Sequence, residues 1–197
     1  MSVNLYTAGQ TICRSYLSTF YKVQVIGKEN IPNHEGVLLC CNHIHLMDPP
    51  FLGSYIERPI HYMAKAELFE APILKSILPK LNAFPVRRGM SDKQALRQGL
   101  RILKEQKILG IFPEGTRSET GQLQKGLAGV GFFALKTDAQ VVPSAIIGPY
   151  KLFKPLKVVY GKPLNFDKLR EEKASSEEAT NYIMKAIAEL IEEHNGN

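Results

Sequence analysis

The sequence predicts an α/β fold: a single domain with a mostly parallel or mixed central sheet, flanked by helices and preceded by an N-terminal amphipathic helix. Three observations carry that expectation. Short apolar runs of strand length alternate with segments of helical periodicity, the pattern of a sheet covered on both faces. The length, 197 residues, suits one domain. No repeat, low-complexity tract or Pro/Gly/Ser-rich linker divides it, so residues 1–197 read as one unit. The composition, 44% apolar and 22% charged residues, is that of a globular chain able to bury a core.

In chain order, residues 5–21 place Leu5, Ile12, Cys13, Tyr16, Leu17 and Phe20 at near-helical spacing, which predicts an aromatic-rich amphipathic helix. Strand-like runs follow at 22–27, 37–42, 60–64, 82–86, 108–112, 141–147 and 156–160. A helix over about 91–106 begins with Ser91 and Gln94 at capping-box spacing and carries Leu96, Leu100 and Leu103 on one stripe. Pro143 marks the run at 141–147 as an edge strand or a bulge. In the last helix, about 175–194, Ser175 and Glu178 repeat the capping spacing, and Ala179, Tyr182, Ile183, Ala186, Ile187, Leu190 and Ile191 form the buried face. Ligands of such sheets sit beyond the carboxyl ends of strands.

The net charge of +6 points to a polyanionic partner: nucleic acid, an anionic bilayer or a phosphorylated metabolite. Residues 57–107 hold eleven Lys/Arg against five acids and so contain the whole excess. No nucleic-acid-binding motif accompanies it and aromatics are not interleaved with the basic residues, so nucleic acid is not the expected partner. Cys13, Cys40 and Cys41 form no C-x-x-C pair, and they read as reduced, packed thiols in a cytosolic protein. No apolar run approaches the ~20 residues of a spanning helix, and no secretory signal pattern opens the chain.

Candidate chemistry lies where strands break into turns. In Cys41-Asn42-His43-Ile44-His45-Leu46-Met47-Asp48-Pro49-Pro50, His43 and Asp48 are five positions apart. On a helix that separation rotates about 140°, and on a strand it spans roughly 16 Å to opposite faces, so only a turn brings the two together. Pro49 also suits the start of a helix, which makes Asp48 a natural N-cap with His43 a loop residue, and spacing alone leaves both readings open. In Phe112-Pro113-Glu114-Gly115-Thr116-Arg117-Ser118, Gly115 permits close backbone approach, Thr116 and Ser118 offer donors, and Arg117 offers a bidentate cation for phosphate. An ordinary polar turn with Arg117 paired to Glu114 or Glu119 is the plainer alternative. Phe84-Pro85-Val86-Arg87-Arg88-Gly89 ends a strand in two arginines, and Val142-Pro143 completes the set.

These four segments, in this order across about residues 35–165, resemble the glycerolipid acyltransferase family, and most closely its bacterial lysophosphatidic acid (1-acyl-sn-glycerol-3-phosphate) acyltransferases. The resemblance implies transfer of a fatty acyl group from acyl-CoA or acyl-carrier protein to the free hydroxyl of lysophosphatidic acid, giving phosphatidic acid without an acyl-enzyme. It implies no metal and no cofactor beyond the thioester co-substrate. His43 is then the general base, a suitable role for an imidazole with its ordinary pKa near ~6.5. Asp48 would fix its tautomer. The phosphate site carries over to Arg88, Gly115 and Arg117, with Arg87, Thr116 and Lys125 as further contributors and Glu114 orienting the glycerol or an arginine. His45 departs from the small polar residue often found there in relatives, which implies either an altered pocket or a competing base. A surface-bound enzyme is expected, peripheral on the cytoplasmic face, touching an anionic bilayer through residues 5–21 and the stretch Lys65 to Lys80. Glycerol-3-phosphate or another lysophospholipid as acceptor, or a noncatalytic membrane-surface lipid-binding module, are the alternatives.

Overall fold

The computed structural model describes residues 5–87 and 92–195. Among them, seven strands form one sheet: β1 (Lys22–Ile26), β2 (Val37–Cys41), β3 (Ile60–Lys65), β4 (Ala83–Val86), β5 (Ile108–Ile111), β6 (Gln140–Ile147) and β7 (Pro155–Tyr160), in the order β1-β7-β6-β2-β5-β3-β4. Every neighbouring pair is parallel except β6 with β7. The helices are α1 (Leu5–Phe20), α2 (Asp48–Ser54), α3 (Pro72–Ile77), α4 (Lys93–Lys104), α5 (Gly129–Lys136), α6 (Asp167–Glu171) and α7 (Ser176–His194). The mixed sheet flanked by helices, the helix ahead of it and all seven strand runs agree with the sequence expectation.

β2 shows why this chain makes a three-layer fold. All five of its residues are buried, because its side chains alternate between two cores. Leu39 and Cys41 pack with Leu17 of α1, Phe51 and Leu52 of α2, and Tyr160 on one face. Leu38 and Cys40 pack with Ile102 and Leu103 of α4, Phe133 of α5 and Ile183 and Ile187 of α7 on the other. Burial pushes both the Cys40 and Cys41 thiols far up, which keeps them protonated and inert.

Two local expectations change. β6 is an interior strand between β7 and β2, not an edge. Pro143 is tolerated there because the ladder with β7 runs only over Ser144 to Ile147, so the missing N–H falls beyond its end, and the Pro143 carbonyl still accepts from Gly161 N at 2.8 Å. The N-cap of α4 is Asp92, whose carboxylate accepts from Gln94 N and Ala95 N; Ser91 lies outside the described residues. In the stretch from Lys65 to Lys80, 3₁₀ turns at Ala66–Phe69 and Pro79–Leu81 flank the six-residue α3, with a proline opening α3 and the second turn.

Topology places the site. Because β2 to β6 run parallel, the segments leaving β2, β5, β6 and β4 all emerge at one edge of the sheet. At a strand spacing of ~4.8 Å, β4 lies roughly 14 Å from β2, three places away. Arg58 serves the opposite edge, where its guanidinium donates to the carbonyls of Pro32, Glu35 and Gln106. Part of the basic excess is therefore structural.

Candidate active site

After β2 the chain turns tightly, and the turn closes on one carboxylate. Asp48 Oδ2 accepts from Ile44 N and His45 N, both at 2.6 Å, and lies 2.7 Å from His43 Nδ1. Asp48 is 0% exposed, while 13% of the His43 side chain reaches solvent. Of the two readings that spacing left open, the structure does not take the one in which Asp48 caps the following helix. Its side chain folds back to donors upstream, and Met47 occupies the N-cap position of α2 with no side-chain bond. A carboxylate at three N–H donors is an acceptor only, so Nδ1 of His43 carries the hydrogen and Nε2 presents its lone pair. Nε2 has no hydrogen-bond partner among the described residues.

Contacts to the backbone and to one ring face hold His43 in place. Phe112 stacks on its ring with centroids 4.2 Å apart. Its backbone N–H donates to Glu114 Oε1 at 2.7 Å, and its carbonyl accepts from Ser118 N at 2.8 Å, which ties the turn after β2 to the turn after β5. Asn42, the residue before it, is clamped to β6 through Nδ2 to the Ile146 carbonyl (2.9 Å) and Ile146 N to Oδ1 (2.7 Å).

His45 answers differently. Its Nδ1 accepts from Met47 N at 3.2 Å, so its hydrogen sits on Nε2 and that atom is no base. Its ring stacks on Tyr150, with centroids 4.1 Å apart. Tyr150 in turn donates to Asp48 Oδ1 at 2.7 Å. Burial and the adjacent Asp48 carboxylate push the Tyr150 phenol far up, so it remains a donor at any physiological pH.

The expected phosphate residues divide. Thr116 and Arg117 are exposed on the turn beyond β5, at the same sheet edge as His43, and Arg117 forms no ion pair among the described residues. Gly115 takes a left-handed backbone (φ 71°), and its N–H closes the turn onto the Phe112 carbonyl at 3.0 Å. Arg87 is exposed at the end of β4, where its backbone N–H donates to Asp92 Oδ2. Arg88 lies outside the described residues. Lys125 is paired with Glu177 of α7 at 3.0 Å, both side chains largely exposed. Glu114, expected to orient the glycerol or an arginine, pairs with no arginine among the described residues: its two carboxylate oxygens accept backbone N–H groups of His43 and Gln124, and burial raises its pKa. Beside Asn42 and Ile44 opens a cavity of about 540 Å³, lined also by Leu123, Ile146, Pro149 and Ile191.

A family model described as acyltransferase matches residues 22–147, from β1 through β6. The chain belongs to the acyltransferase family. Across 87% of its length it is 36% identical to the 1-acyl-sn-glycerol-3-phosphate acyltransferase of Bacillus subtilis (strain 168), covering 90% of that protein. It is 31% identical over 134 residues to the protein of the same name from Borreliella burgdorferi, of which it spans 54%. The crystal structure of the 1-acyl-sn-glycerophosphate acyltransferase PlsC from Thermotoga maritima superposes with a TM-score of 0.80 at 25% identity, covering 98% of this chain and 80% of that one.

The acyltransferase fold thus unites His43 and Asp48 as the sequence allowed, and adds contributors that sequence reasoning missed. Asn42 and Tyr150 act on the pair through hydrogen bonds spanning more than a hundred residues. A signal for Tyr150 existed in Gly148-Pro149, which ends β6 at the edge where β2 ends once the two strands are parallel.

Proposed function

We propose that this acyltransferase moves a fatty acyl group from a thioester, acyl-CoA or acyl-carrier protein, to the free hydroxyl of lysophosphatidic acid, giving phosphatidic acid. The observation that carries the reading is the 2.7 Å bond between His43 Nδ1 and the fully buried Asp48, which leaves Nε2 as a base at the carboxyl edge of the sheet. Nε2 takes the hydroxyl proton while the oxygen attacks the thioester carbonyl. The new C–O bond forms, the tetrahedral intermediate collapses with loss of the C–S bond, and the imidazolium returns the proton to the departing thiolate. Asp48 holds the tautomer and balances the imidazolium. No acyl-enzyme and no cofactor are needed.

Arg117, Thr116 and the Gly115 backbone, with Arg87 at the end of β4 and Arg88 next to it in sequence, bind the phosphate. Arg117 supports this, because it is exposed and forms no ion pair among the described residues, and such a guanidinium is available to an anion. Holding the phosphate orients the hydroxyl, an effect that can lower a barrier by roughly 7–11 kcal/mol. The largely apolar cavity beside Asn42 and Ile44 suits an acyl chain.

The enzyme works bound to the cytoplasmic face of an anionic membrane without crossing it. Among the described residues no helix is long and apolar enough to cross a membrane. The support for surface binding is that α1 is seated by one face, on which Tyr6 and Leu17 are buried, and leaves large apolar side chains on the other. Gln10 donates to the carbonyls of Gly53 and Ile56, and Arg14 to that of Ser54, whereas Leu5, Ile12, Tyr16 and Phe20 face outward, Ile12 at 69% exposure. Turnover with a matrix of acceptors (lysophosphatidic acid, glycerol-3-phosphate, lysophosphatidylcholine) and donors (acyl-CoA, acyl-carrier protein) tests the proposal, with His43→Ala as control. Preference for lysophosphatidic acid, abolished in the control, is expected. Full activity in the control refutes the mechanism, and preference for glycerol-3-phosphate reassigns the acceptor.

A further inference from the structure

Resting on the surface-bound reading above, we propose that the β6–β7 loop, Lys151-Leu152-Phe153-Lys154, is a second membrane-inserting element, beside α1 and adjacent to the catalytic turn. All four residues are exposed, and the two apolar ones point into solvent: Leu152 is 59% and Phe153 63% exposed. The loop is held in one shape. Lys154 N donates to the Lys151 carbonyl at 3.1 Å, Phe153 N to the Phe20 carbonyl at 2.7 Å, and Lys22 N to the Lys154 carbonyl at 3.0 Å. Within that turn Phe153 adopts a left-handed backbone (φ 59°), where glycine or asparagine is the usual choice. A bulky aromatic that is strained and also unburied gains nothing from the fold, which points to an occupant outside it.

The occupant is an anionic phospholipid surface. Lysines bracket the apolar pair and Lys22 stands beside them, the arrangement in which side chains enter the acyl region while ammonium groups meet phosphates. The loop also continues the outward face of α1. Tyr16 packs on Phe20 (5.0 Å) and Tyr21 (6.3 Å), and Tyr21 on Tyr150 (5.9 Å), a run of aromatic rings of the kind that sits at lipid headgroups. Tyr150, one residue before Lys151, is bonded to Asp48, and Leu46 of the catalytic turn, next to His45, is 70% exposed. Insertion here would bring the bilayer to the mouth of the site, where a lysophospholipid enters without leaving the membrane.

The test compares wild type with Leu152→Ser/Phe153→Asn, asparagine being compatible with the backbone at 153, by co-sedimentation with phosphatidylglycerol-containing vesicles. Binding at least about tenfold weaker is expected, with slower turnover of vesicle-borne lysophosphatidic acid and unchanged turnover of a short-chain monomeric acceptor. The chain contains no tryptophan, so Phe153→Trp adds a single fluorophore whose emission should shift to the blue with the same vesicles. Wild-type binding retained undiminished in the double variant, with no shift in Phe153→Trp, overturns the loop's role and leaves the surface-bound reading standing. Absence of wild-type vesicle binding overturns both. Unchanged vesicle binding with slower turnover only on acyl-carrier protein reassigns the loop to protein docking, and so overturns the proposal too.

Discussion

Replacing Asp48 by asparagine removes one charge and little else. Two backbone N–H groups, of Ile44 and His45, converge on Oδ2 at 2.6 Å, so the amide oxygen is drawn to that position and the NH₂ group is left facing Tyr150. The Tyr150 hydroxyl can turn to accept from it. The turn, the His43 tautomer and the Nδ1–H hydrogen bond are therefore preserved, and what is lost is the carboxylate that balances the imidazolium. Unit charges about 4 Å apart attract by roughly 4 kcal/mol at an effective dielectric near 20. With proton transfer half to fully developed in the transition state, and each 1.36 kcal/mol worth a factor of ten, kcat should fall between about 30-fold and 10³-fold. KM for the lysophospholipid should stay within about twofold, because a residue with 0% exposure cannot touch it. Steady-state kinetics of Asp48→Asn, His43→Ala and the double variant, with circular dichroism to verify folding, measure this. The double variant should be no slower than His43→Ala, since the carboxylate acts only through the imidazole. A folded Asp48→Asn enzyme within threefold of wild-type kcat, or a loss confined to KM, would refute the assignment.

Three further outcomes follow from neighbouring contacts. Arg117→Ala should raise KM for lysophosphatidic acid by about 10 to 100-fold, as expected on losing one charge-assisted bond to phosphate, while turnover of an uncharged monoacylglycerol changes little; equal losses on both acceptors would place Arg117 elsewhere. Tyr150→Phe should keep the stack on His45 but leave Asp48 Oδ1 without its donor, lowering stability by about 1–3 kcal/mol in urea titration, and an unchanged midpoint would show that hydroxyl to be dispensable. Burial holds the Glu114 carboxyl above its ordinary value of 4.5, so the folded state binds that proton more tightly than the unfolded chain. Its contribution to stability is thus full below that value and lost as pH rises through the folded pKa. The stability advantage of wild type over Glu114→Gln, followed by urea midpoints from pH 4 to pH 7, should shrink as pH rises, and an advantage that grows would contradict the direction.

Much of the architecture is legible along the chain because it depends on local chemistry. The apolar runs that become β2, β5 and β6 are strands with both faces covered, and the capping box of Ser175 and Glu178 starts α7 where the spacing says. Pro143 was misleading for a nonlocal reason: proline excludes a strand from a sheet interior only where a partner needs its N–H, and the end of the β7 ladder removes that need. The outward face of α1 is similar. Periodicity identifies a stripe holding Ile12 and Tyr16, but whether that stripe meets the sheet or solvent depends on where the carbonyls of Gly53 and Ser54 wait for Gln10 and Arg14.

The identities of His43, Asp48 and Arg117, and hence the class of chemistry available, are properties of residue type and order, readable without coordinates. The state of that chemistry is not. Which imidazole nitrogen holds the hydrogen follows from what each faces: Asp48 for His43, and the Met47 amide for His45. Glu114 turned out to brace the backbone of His43, and Tyr150 reached Asp48 from 102 positions away. A hydrogen bond depends on distance and direction in space, and only the parallel register of β2 with β5 and β6 brings those groups to a common edge.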